Sequence, residues 1–107
     1  MALVAVITTT ADKDEARVIA RALVEKGLAA CVQISEIESF YTWQGELQQD
    51  PEYRLVAKTT EEHYSEVEKT IRALHSYELP AIYALPLSRT FEPYAAWVES
   101  SCQPTPK

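Results

Sequence analysis

LAACVQISEIESFYTW, residues 28–43, is the stretch that decides the fold. It is rich in β-branched and aromatic side chains and contains neither glycine nor proline, the composition of a pleated, partly buried strand. A strand this long exceeds the usual length of about 5–6 residues, so a bend or bulge is expected within it. Gln44-Gly45 follows and reads as a hairpin turn in which glycine supplies the positive φ. Glu46-Leu47-Gln48 would then pair back on the long strand. Asp50-Pro51 reads as an interruption, after which Tyr53–Lys58 (YRLVAK) resumes as the next strand.

Working outward, Leu3–Ile7 is a short apolar run suited to a strand covered on both faces. Asp12 reads as an N-cap, with Glu15 completing a capping-box pattern. Ala16, Ile19, Ala20 and Leu23 then recur at helical spacing, and Lys26-Gly27 closes that helix with a cation and a left-handed cap. Thr60 reads as the cap of a second helix, with Glu61 and Glu62 in its first turn and Lys69 and Arg72 later. Tyr64, Val67, Ile71 and Leu74 form its apolar stripe. Ala81–Leu87 reads as a fourth strand, held at a sheet edge by Pro86. Phe91–Ser100 reads as a short third helix with Pro93 in its first turn, and the tail SCQPTPK as frayed.

The resulting order, β-α-β-β-α-β plus a C-terminal helix, predicts an α+β, ferredoxin-like fold with an antiparallel sheet, one domain spanning residues 1–107. Right-handed crossovers place the first two helices on one face of the sheet. The other face, left largely bare, calls for self-association, because soluble monomers seldom expose large apolar patches. The overhanging hairpin tip FYTWQG invites pairing with a neighbouring copy.

The charge excludes whole classes of partner. With 10 basic and 16 acidic residues the net charge is −6, and the isoelectric point is near 4.9. Nucleic-acid binding through phosphates requires a basic footprint that is missing here, and the same sign opposes docking on anionic membranes. MALVAVITTT lacks the positive start of a targeting segment, and no apolar stretch approaches the roughly 20 residues of a membrane span. Cys31 and Cys102 form no C-x-x-C pair, which suggests a reducing, cytoplasmic setting. Cys31, within AACV, reads as core packing or as a thiol ligand.

Catalytic signatures are scarce. No nucleophile elbow surrounds any serine, and the two glycines stand far apart and cannot cradle a phosphate. Of the two histidines, His63 reads as a solvated residue in the first turns of the second helix. His75 lies in LHSYELP, residues 74–80, beside Tyr77 and Glu78. That segment reads either as a helix-to-strand join, since Pro80 disfavours the α region at Leu79, or as part of a ligand site. One imidazole and one carboxylate are too few for a tight transition-metal centre, so a metal would need donors from elsewhere, such as another subunit.

Several blocks together resemble the CutA divalent-cation tolerance family. They are Leu28-Ala29-Ala30-Cys31-Val32, Tyr41-Thr42-Trp43-Gln44-Gly45-Glu46-Leu47, Asp50-Pro51-Glu52, Leu55-Val56-Ala57-Lys58-Thr59 and His75-Ser76-Tyr77-Glu78-Leu79-Pro80. The resemblance runs from about Val4 to Trp97. It implies a stable cytoplasmic homotrimer akin to PII signalling proteins, linked to tolerance of copper and other divalent metals, with no catalytic reaction and no required cofactor. It further implies metal at His75, with Cu(II) or another divalent cation as the ion. A second reading places a small molecule or protein partner in an intersubunit cleft lined by Trp43, Lys58, Tyr77 and Glu78. The chain departs from the family pattern at Gln33, Ser76 and Ala81. Where some members are described as placing a cysteine and paired histidines for copper, it has Thr8, Leu74 and His75.

Overall fold

Asp12 begins the first helix as its pattern requires: its backbone is extended and its carboxylate accepts the Glu15 N–H at 2.7 Å. In the computed structural model, which describes residues 2–103, this helix is α1 (Lys13–Glu25) and follows strand β1 (Leu3–Thr10). Gly27 closes α1 at φ +68°, with its N–H on Val24 O and the Leu28 N–H on Leu23 O. These paired bonds satisfy the last carbonyls of the helix. Lys26 is the C-cap residue rather than part of the last turn.

The long β segment is two strands joined by the expected hairpin. Strand β2 (Cys31–Trp43) is paired along its whole length with β3 (Glu46–Thr60), from Cys31↔Lys58 to Trp43↔Glu46. Both turn residues have positive φ, Gln44 at 52° and Gly45 at 81°, the signature of the turn whose twist matches that of the flanking strands. Two expectations are corrected here. Leu28 and Ala29 do not open the strand but plug the core below the cap of α1. Asp50-Pro51 does not interrupt β3, since Pro51 pairs with Glu38. Before Tyr53 the strand has no β1 neighbour, so proline's missing donor is tolerated on a strand with one open edge.

After β3 comes a 3₁₀ turn (Glu61–His63), then α2 (Tyr64–Leu74), the edge strand β4 (Ile82–Pro86) and α3 (Glu92–Ser101). The strands form one antiparallel sheet in the order β2-β3-β1-β4, the ferredoxin-like arrangement. One face carries Val4, Val6, Leu55 and Ala57 against Ile19 and Leu23 of α1 and Val67 and Ile71 of α2. Each of these larger apolar side chains contributes roughly 1.5–3 kcal/mol by leaving water.

The opposite face is only partly covered. Ile7 is buried there, and Tyr94 of α3 reaches Cys31, yet Tyr83 and Leu85 remain 45% and 47% exposed. Among the described residues no helix is long and apolar enough to cross a membrane. Of the tail read as frayed, Ser101 ends α3 and Gln103 donates its N–H to Gly27 O. Residues 104–107 lie outside the described residues.

The two glycines separate backbone strain from crowding. A Cβ at Gly45 would meet open space, whereas one at Gly27 would collide with the Gln103 side chain. Gly45→Ala is expected to cost about 1 kcal/mol and Gly27→Ala about 2–3 kcal/mol, as measured by denaturant unfolding.

Candidate functional site

The join between α2 and β4 is organised around the His75 side chain, which has no exposed surface. His75 ends α2, its N–H on Ile71 O at 2.9 Å and its own backbone extended. The imidazole Nε2–H donates to Thr9 O of β1 at 2.7 Å, leaving Nδ1 to accept the Tyr77 N–H at 3.1 Å. Glu15 Oε2 lies 3.4 Å from Nδ1 and accepts the Ser76 N–H at 3.2 Å. One ring therefore ties the end of β1, the start of α1 and the join together, with both nitrogens engaged inside the chain.

That tie aims Tyr77. Its ring sits 4.8 Å from the imidazole, and its hydroxyl donates to Glu52 Oε2 at 2.5 Å. Burial, reinforced by the adjacent Glu52 carboxylate, pushes the Tyr77 phenol above the ordinary value of 10.0, so it stays an O–H donor. Across the opening, Tyr41 donates to Asp50 Oδ2 at 3.0 Å, and that bond raises its phenol too.

These side chains enclose a cleft of about 440 Å³. The β2–β3 overhang supplies Tyr41, Trp43 and Glu52; the join supplies Tyr77, Glu78 and Leu79; Thr9 and Ala81 complete the lining. Glu52 is 8% exposed. The cleft thus brings together Trp43, Tyr77 and Glu78 from the residues singled out in the sequence, with His75 behind Tyr77.

Lys58 lies elsewhere. Its ammonium donates to Gln33 Oε1 at 3.0 Å, and six residues along β3 separate it from Glu52, about 20 Å. Cys31 is half-buried, with its sulfur 3.9 Å from the Tyr94 hydroxyl. Thr8 is buried, and its hydroxyl has no partner among the described residues. Among those residues no three His, Cys, Asp or Glu side chains gather as a metal-binding group.

The sequence reading missed Tyr41 and Glu52. The signal was alternation: counted back from the Gln44-Gly45 turn, Tyr41, Trp43 and Glu52 share one face of the hairpin. The reading of His63 as solvated is corrected as well. It is buried, with Nδ1 2.6 Å from the Thr60 hydroxyl and Nε2 bonded to Gln103 O. Thr60 therefore serves the imidazole, with no side-chain capping bond to the helix backbone.

Removing the Tyr77 hydroxyl strands the nearly buried Glu52 carboxylate. Tyr77→Phe is expected to cost about 1–3 kcal/mol at neutral pH in denaturant unfolding. A phenol held above its unfolded value contributes stability fully below about pH 10, and that contribution is lost as pH rises through the folded value. The alkaline loss should accordingly be smaller in Tyr77→Phe, read from unfolding curves beside phenolate absorbance.

The CutA1 divalent ion tolerance protein family matches residues 4–101. The divalent-cation tolerance protein CutA of Thermus thermophilus is 40% identical over 97 residues, 90% of this chain and 94% of that protein. Its counterpart in Archaeoglobus fulgidus is 37% identical over 95 residues, 89% of this chain and 93% of that protein. A solved structure described as the periplasmic divalent cation tolerance protein CutA from Archaeoglobus fulgidus superimposes with a TM-score of 0.90 at 35% identity, covering 92% of this chain and 97% of that one. CutA1 from Oryza sativa superimposes with a TM-score of 0.94 at 31% identity, covering 98% and 97%. None of these descriptions names a reaction. Matched over nearly all of its sheet and helices, the chain belongs to the CutA1 divalent ion tolerance family.

Proposed function

We propose that the chain works as a non-catalytic cytoplasmic homotrimer supporting tolerance to divalent metal, copper included, by holding Cu(II) or another divalent ion weakly at clefts between subunits. The carrying observation is the position of the acidic cleft at an unsealed edge of the molecule. Glu52 and Glu78 line it, while Tyr41 and Trp43 beside it are 41% and 45% exposed. One subunit offers a metal only part of a donor set, and a neighbouring copy packed along the overhang would supply the rest. His75 lies behind this cleft with Nδ1 held by the Tyr77 N–H. An ion would have to compete for that nitrogen, a physical reason for weak binding.

A second reading, a PII-like adaptor holding a small molecule or protein partner, draws on the shape of the same cleft. Its volume of about 440 Å³ falls in the range of small-molecule sites, roughly 300–1,000 Å³. Tyr41, Trp43 and Tyr77 give it aromatic walls. In this reading Lys58 would serve a seam on another side of the subunit.

Titration calorimetry with Cu(II) tests the metal reading. His75→Ala and Glu78→Gln should each weaken binding about tenfold while sedimentation still shows a trimer. Equal copper uptake by the wild type and both variants would remove the site, and a folded monomer at micromolar concentration would remove the seams.

A further inference from the structure

Within one subunit, Glu52 is a carboxylate without a counter-charge among the described residues. It is 8% exposed, and only one of its oxygens has a hydrogen-bond partner among the described residues, the Tyr77 hydroxyl. No ion pair reaches it among those residues, although Arg54 follows two positions along the same face of β3. The second oxygen of Glu52 is not sealed among the buried atoms but opens to the cleft, and a carboxylate so nearly buried is ordinarily matched by a cation or further donors. Here the unpaired oxygen belongs to a residue lining an aromatic cleft, with Glu78 as a second carboxylate and no lysine or arginine among the lining residues.

The geometry points to an organic ammonium ion, a primary alkyl- or arylalkylamine in its charged form, as the ligand of this cleft. The inference rests on the small-molecule reading above and gives it a chemical class. An ammonium N–H would donate to the free Glu52 oxygen as a charge-assisted bond. The faces of Tyr41, Trp43 and Tyr77 attract a cation through their ring quadrupoles. Leu79, Ala81 and the same rings would accept the hydrocarbon portion. A hydrated divalent ion, the competing occupant in the metal reading, would use the carboxylates but leave the hydrocarbon-accepting walls unfilled, and an anion would meet two carboxylates and no lysine or arginine among the lining residues.

Benzylammonium chloride and benzyl alcohol test this directly, since they share ring and shape and differ in charge. Each is titrated into the intact full-length assembly at low salt, followed by NMR shifts of the cleft residues. Benzylammonium should bind about tenfold or more tightly than benzyl alcohol, and Glu52→Gln should abolish that preference while leaving the alcohol unchanged. Equal binding of the two compounds by the wild type overturns the ammonium class but keeps a small-molecule cleft. Binding of neither overturns both. Should Glu52→Gln fail to fold, Glu52→Asp, which keeps the charge but draws it back from the cleft, must narrow the preference, and an unchanged preference there counts against the inference.

Discussion

The register between β2 and β3 is the constraint on which the molecule depends. Every residue of β2 is paired, and the ladder is fixed at one end by a two-residue turn with both φ values positive. Strand side chains alternate, so a one-residue slip would exchange the two faces. With β3 held by β1, Tyr41 and Trp43 would leave the cleft face and Phe40 and Thr42 would take their place opposite Glu52. The same slip would turn Val32 and Ile34, which pack against the core, away from the helices. Core and cleft are therefore specified by one choice of register, and neither can be lost alone.

The parts of the fold legible in the sequence were those set by local rules. The Asp12 cap, the Gly27 stop, the edge position of β4 marked by Pro86 and the Gln44-Gly45 turn all depend on a few adjacent residues, and each stands as read. What escaped was set by distant neighbours. Pro51 looked like a break because its tolerance depends on where β1 ends, far away in sequence. His63 looked solvated because its cover, Gln103, arrives 40 residues later. Of the residues the sequence singles out as cleft lining, Trp43, Tyr77 and Glu78 meet at the cleft and Lys58 does not, while the partnership of Tyr77 with Glu52 spans 25 residues and leaves no local mark.

Both histidines illustrate how a reactive residue type can be absorbed by architecture. Each imidazole uses its two ends to join segments that sheet and helix bonding leave apart: His63 links the turn before α2 to Gln103, and His75 links β1 to the segment before β4. A planar ring with one donor and one acceptor suits such two-ended ties. The chemistry left facing the opening is then carboxylate and phenol, hard oxygen donors set in aromatic surroundings. Copper(I) chemistry, which favours soft thiolates, finds no cysteine among the cleft's lining residues, and Cys31 lies beside Tyr94.

In the proposed trimer, assembly and binding at the cleft would be linked. The overhang carrying Tyr41 and Trp43 projects past β1, where the subunit itself provides no further strand. Packing a second copy against it would exclude water from the cleft rim and lower the local dielectric. Every interaction of Glu52 with a cation would strengthen accordingly. By mass action, a cation that favours the closed seam must in turn favour the assembly. The half-covered sheet and the unpaired carboxylate are thus two aspects of one incomplete surface, and whatever completes the first sets the strength of the second.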